Sequence, residues 1–81
     1  QDQDAKQVYW RSRRGLLELD LVLLPFTQDC YFNLPKIQQK LYKEILDLED
    51  LMILDLIHDR TTIPEEFQQV IQLIREHLSR N

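Results

Sequence analysis

One glycine and three prolines in 81 residues leave this chain few ways to turn. A fold of many short strands needs a turn signal roughly every 8–12 residues, most of them built on glycine, proline or asparagine. That class is excluded. Helices joined by short corners remain, and a composition of 43% hydrophobic and 30% charged residues suits a bundle with one modest core. A chain this size buries only about 60–65% of the surface its unfolded form exposes, so it has no room for a second core or a deep enclosed pocket. The expectation is an all-α single domain over residues 1–81, a small bundle of about five short helices, with residues 1–4 as a flexible start.

Periodicity places the helices. Asp4 is positioned to cap a first helix over residues 5–14, with Val8 and Tyr9 inward and Trp10 at its edge. Arg11, Arg13 and Arg14 load its last turn, where cations suit the negative end of the helix dipole. Residues 16–26 alternate like a strand through Leu17-Glu18-Leu19-Asp20-Leu21, but no second strand-like run exists to pair with them. They read instead as a second helix, apolar on most sides and largely buried, with Leu17, Leu21 and Leu24 on one face flanked by Leu16, Leu19 and Leu23, and Pro25 weakening its end. Asn33 caps a third helix with Pro35 in its first turn and Ile37, Leu41, Ile45 and Leu48 at helical spacing. A fourth spans residues 50–58. Thr62 and Glu65 have capping-box spacing around Pro64. The last helix runs to Ser79 with Phe67, Val70, Ile71, Ile74 and Leu78 inward.

Several chemistries fall away on inspection. The single cysteine, Cys30, cannot make an internal disulfide and fits a reducing compartment. No apolar run approaches the roughly 18–20 residues of a membrane span. His58 and His77 belong to no recognised ligand pair, and the acidic residues lack the glycine of a calcium loop, so no metal site is expected. No glycine-rich loop follows a strand to seat a dinucleotide. Glu18 and Asp20 point different ways on a helix and cannot act as a paired acid and base. No catalytic residue is assigned, and the chain is read as not an enzyme. Nor is nucleic acid an expected partner, since the net charge is −4 despite the cations around Trp10.

That charge is uneven along the chain. Lys6, Arg11, Arg13 and Arg14 form a basic block without acids, and Glu44, Asp47, Glu49, Asp50, Asp55 and Asp59 form an acidic block without Lys or Arg. Such polarisation suits the orientation of a protein partner. The end of the basic block opens the stretch Arg13-Arg14-Gly15-Leu16-Leu17-Glu18-Leu19-Asp20, which holds the only glycine. Spacing alone favours a helix stop at Gly15 with Arg14 and Glu18 paired across the bend, a contact worth roughly 0–1 kcal/mol.

The longer pattern says more. Trp10, then Arg13-Arg14-Gly15, an apolar and a variable position, Glu18-Leu19-Asp20, an apolar run and Phe26 together resemble the succinate dehydrogenase assembly factors that promote flavinylation. Their Arg-Gly-x-x-Glu hallmark is met by Arg14, Gly15 and Glu18, with Leu16 standing where methionine is usual. The resemblance implies a five-helix bundle that binds the flavoprotein subunit of succinate dehydrogenase, and often of fumarate reductase, and aids covalent attachment of FAD to it. It implies partner contacts at Trp10, Arg13, Arg14, Gly15, Glu18 and Asp20 and no cofactor held stably by this chain; the many charges and short helices, for their part, suit a monomer. Bacterial members also carry an antitoxin label, so the alternative is a regulatory module with a non-flavoprotein partner. The chain starts at Gln1, and its short segment before the first helix points to a bacterial cytoplasmic protein, with the mitochondrial matrix as the alternative.

Overall fold

The structure, a computed structural model, describes residues 2–80 as five α-helices with no strand among them. The helices are α1 (Asp2–Ser12), α2 (Leu17–Cys30), α3 (Lys36–Leu46), α4 (Asp50–Ile57) and α5 (Gln68–Arg80), with short 3₁₀ turns at Tyr31–Asn33 and Glu65–Phe67. The all-α bundle expected from the sequence is the fold observed. Helix α2 packs against α1 and α5, and α5 also packs against α3 and α4. No helix is long and apolar enough to cross a membrane among the described residues.

The ends of α1 differ from expectation at both sides. It begins at Asp2, so the flexible start read into residues 1–4 is helical from there, and Gln1 lies outside the described residues. Asp4 therefore sits within the helix and caps nothing. Its carboxylate instead accepts from the Tyr31 hydroxyl at 2.7 Å and pairs with Lys43 Nζ at 2.8 Å, pinning α1 to α3. Those two bonds, Lys43 first, hold the Asp4 carboxyl below its ordinary range. The helix stops at Ser12 rather than Arg14. The Ser12 hydroxyl turns back to the Tyr9 carbonyl at 2.6 Å, and only Arg11 remains in the last turn.

Helix α2 buries a different face from the one its leucines suggest. Leu19, Val22, Leu23 and Phe26 point inward, while Leu17 and Leu21 are exposed and Leu24 is half-buried. Each such buried side chain contributes about 1.5–3 kcal/mol, so whichever face meets α1 and α5 sets the rotation. The helix also runs four residues beyond Phe26, through Pro25. Proline removes one N–H, and the carbonyl it would have bonded belongs to exposed Leu21. Beyond it, the Thr27 hydroxyl bonds the Leu23 carbonyl at 2.8 Å and shares a 2.7 Å bond with the Tyr42 hydroxyl.

The remaining corners are made by prolines more than by polar caps. Asn33 closes a 3₁₀ turn and does not cap α3; Pro35 precedes Lys36 with ψ 153, and Leu34 before it is extended, as residues before proline tend to be. Likewise Pro64 precedes the Glu65–Phe67 turn with no side-chain cap, so Thr62 makes no capping box. Helix α3 buries Gln38, Tyr42, Ile45 and Leu46, leaving Ile37 exposed and Leu41 and Leu48 at the margin. On α5 the inward position expected of Leu78 is taken by His77, which meets Asp29 at 2.9 Å and stands edge-on to Phe26. Desolvation in this core pushes the Tyr42 phenol far up.

Candidate docking site

Between α1 and α2 the chain reverses through Gly15, whose φ of 76° is open to glycine and strained for other residues. A Cβ built at Gly15 would meet nothing within 4 Å. Glycine is thus required here by backbone conformation, and the space above it is open. Leu16 then enters α2 in an extended conformation and offers no side-chain cap. Asp20 supplies the missing restraint: its Oδ1 accepts from the Arg14 backbone N–H at 2.7 Å, across the glycine.

Arg14 faces inward. Its Nε donates to Asp50 Oδ1 at 2.9 Å, Nη1 to the carbonyls of Arg11 at 2.9 Å and Leu46 at 2.8 Å, and Nη2 to the Leu48 carbonyl at 3.0 Å. Leu46 ends α3 and Arg11 lies in the last turn of α1. The guanidinium therefore satisfies carbonyls at two helix C-termini, where the backbone runs out of donors and a cation is favoured. Its side chain is only 17% exposed. The pairing of Arg14 with Glu18 expected across the bend does not form, because one exposed ion pair competes poorly with four partly buried acceptors. Glu18 turns instead to His58, with Oε2 and Nε2 at 2.8 Å.

The six residues expected at the site thus divide. Arg14 and Asp20 build the loop from beneath, Gly15 bends it, and Trp10, Arg13 and Glu18 stand at the surface. Trp10 is 63% exposed, in edge contact with Tyr9, and Leu17 and Leu21 add exposed apolar area one turn apart on α2. Large exposed apolar groups beside a cation and a carboxylate are the makings of a protein contact.

The polarisation read along the chain cancels in part in space. Arg11 pairs with Asp47 at 2.6 Å and Arg14 with Asp50 at 2.9 Å, so two members of the acidic block are counter-ions of the basic one. Asp55 and Asp59 pair with Arg60 and Arg75 at 3.6 and 3.7 Å. The common spacing of three residues, Arg11 to Arg14 and Asp47 to Asp50, was the available signal for this zipper. His58 had none, lying 40 residues from Glu18.

Other features carry no chemistry of their own. Burial, then the charge of Asp29, pushes the Cys30 thiol up, away from the reactive thiolate. Among the described residues no three His, Cys, Asp or Glu side chains gather as metal ligands. An open groove of about 700 Å³, lined by Asp4, Tyr31, Phe32, Lys36, Lys40 and Lys43 among others, shares no residue with the loop, and Lys43 in its wall is already paired.

The geometry can be set beside known proteins. A family model described as "Flavinator of succinate dehydrogenase" matches residues 6–78. The chain is 34% identical over 76 residues to the "FAD assembly factor SdhE" of Pseudomonas putida, covering 93% of this chain and 90% of that one. It is 35% identical over 68 residues to the protein of that name from Francisella tularensis, covering 84% and 72% of the two chains. The likeness to the Pseudomonas aeruginosa protein of that name is 45% over 47 residues, 58% of this chain and 56% of that one. No solved structure matches.

Proposed function

Because this chain belongs to the flavinator of succinate dehydrogenase family, we propose that it is an FAD assembly factor that docks on the flavoprotein subunit of succinate dehydrogenase and promotes covalent attachment of FAD there. The observation that carries this reading is the open surface over Gly15, flanked by Trp10, Arg13 and Glu18 and braced from beneath by Arg14. With no side chain at Gly15, a partner backbone can approach closely. Trp10, Leu17 and Leu21 supply apolar area, Arg13 a guanidinium for a carboxylate or carbonyl, and Glu18 an acceptor for a partner donor. The same surface serves the fumarate reductase flavoprotein if it presents the same groups.

The flavoprotein supplies the chemistry. Its own residues hold FAD and the atom that becomes bonded to it, and this chain brings no nucleophile, acid or base to that centre. Its part is to hold the partner in a conformation where FAD and its acceptor lie in reactive geometry, removing part of the conformational cost of reaching it. It acts as a monomer in the cytoplasm, and FAD remains with the partner.

The test is covalent flavin fluorescence of the partner subunit in a denaturing gel. The subunit is expressed alone, with this protein, and with its Gly15→Leu and Glu18→Ala variants. Flavin on the subunit is expected to rise with the native chain and to fall for both variants. Equal covalent flavin in all four cases removes the proposal.

A further inference from the structure

We propose that His58 is a positioning residue for the docking carboxylate: it holds Glu18 in the orientation a partner meets, although it lies outside the Arg-Gly-x-x-Glu run. This rests on the docking reading above and extends it to a second element.

Glu18 sits in the first turn of α2 with a half-exposed side chain, and a glutamate there samples several rotamers when free. Here one oxygen, Oε2, lies 2.8 Å from His58 Nε2. A carboxylate only accepts, so the proton of this bond resides on Nε2. The other oxygen, Oε1, makes no hydrogen bond among the described residues, and with the side chain 55% exposed it keeps its capacity to accept from a partner donor.

His58 is itself held. It is the residue that follows α4, and its backbone N–H bonds the Leu54 carbonyl at 2.9 Å. Immediately after it, Arg60 N–H reaches the Asp55 carbonyl at 2.8 Å and Asp59 N–H the Leu56 carbonyl at 3.4 Å, the paired bonds that lock a helix end. Arg75 of α5 donates from Nη2 to Leu56 and from Nε to Ile57, at 2.7 and 2.8 Å. Restraint therefore passes from α5 through the end of α4 to the imidazole, and from it to Glu18. A carboxylate fixed before binding loses less freedom on docking than a free one.

The experiment measures binding of the purified chain to the flavoprotein subunit, with covalent flavin yield at limiting assembly factor as a second readout. His58→Ala is expected to weaken binding by up to about tenfold, the upper end of the cost of ordering one long side chain on docking. His58→Gln, whose amide N–H can reach the same oxygen, restores it to within about threefold of the native chain. In a Glu18→Ala background, His58→Ala adds no further loss, because it acts only through that carboxylate. His58→Phe keeps the ring and removes the donor, and stands in for His58→Ala should the truncation lose its helical circular dichroism. Native-like binding by both His58→Ala and His58→Phe overturns the proposal, as does failure of His58→Gln to rescue or a further loss in the Glu18→Ala background. If Glu18→Ala itself binds and flavinylates normally, the docking reading falls first.

Discussion

Two connections in this chain pass through the left-handed region of the backbone, one at Gly15 with φ 76° and one at Asp59 with φ 59°. They are held by different means. At Asp59 the main chain closes the turn itself, through Arg60 N–H to Asp55 and Asp59 N–H to Leu56, with Arg75 bonding the Leu56 and Ile57 carbonyls behind it, and the aspartate tolerates a conformation that costs most residues about 1–2 kcal/mol. At Gly15 side chains do it: Arg14 reaches down to the α3–α4 corner and Asp20 reaches back over the turn. A turn closed by its own backbone tolerates a side chain. One tied from below leaves its outer surface bare, so glycine answers the demand of conformation there and, under the docking proposal, that of approach as well.

The strongest way to break this comparison is to remove the side-chain brace. Arg14→Ala leaves the carbonyls of Leu46, Leu48 and Arg11 without their donor in a partly buried setting and is expected to cost about 3 kcal/mol or more in urea unfolding. Arg14→Lys recovers little, since one ammonium cannot span the same acceptors. Native stability in Arg14→Ala would mean that the first turn holds itself, as the second does.

Gly15→Ala separates the two demands on glycine. With nothing within 4 Å of the new Cβ, its cost is conformational, about 1 kcal/mol. For a domain this size that is about 4–8 °C in melting temperature. Gly15→Asn, better tolerated in this conformation, is expected to melt closer to the native chain while still obstructing a partner. If it flavinylates the partner normally, close approach at Gly15 is wrong. At the other turn the sign reverses. Asp59→Gly relieves strain and is expected to stabilise by about 0.5 kcal/mol, net of the greater freedom glycine gives the unfolded chain. Destabilisation there would assign Asp59 a role beyond its backbone.

The smallest effect concerns acid. The Asp4 carboxyl sits below its ordinary value of 3.8, held there chiefly by Lys43 and then by Tyr31. Its folded value lies below its unfolded one, so the contact's contribution is present above about pH 4 and drains as pH falls through the folded value. Asp4→Asn should flatten the stability profile below pH 4 and leave the profile above pH 6 parallel to that of the native chain, read by thermal melts across pH.

What was legible in the residues follows from where the information lies. The inward positions from Phe67, in the turn before α5, to Ile74 on it show as clean helical spacing, because polar residues mark the opposite side. The rotation of α2 does not, because leucines at 16, 17, 19, 21, 23 and 24 fit more than one face. Burial of His77 depends on Asp29, 48 residues away, and a histidine adds nothing to an apolar count. At the docking loop the glycine and its charged neighbours were plain. Arg14's inward turn was not, since three of its four acceptors are backbone carbonyls, which carry no side-chain signature. The family resemblance pointed to the loop, but geometry separated its exposed side chains, Trp10, Arg13 and Glu18, from the buried brace of Arg14.

The reach of Arg14 also bears on when the docking surface comes into being. Its acceptors outside α1 lie 32 to 36 residues further along the chain. No local folding event can assemble the loop, because its brace exists only once α3 and α4 have formed their corner and closed against α1. A nascent or frayed chain carries the full Arg-Gly-x-x-Glu run yet presents no ordered surface. Under the docking proposal, competence to engage a partner is thereby tied to completion of the chain's own folding.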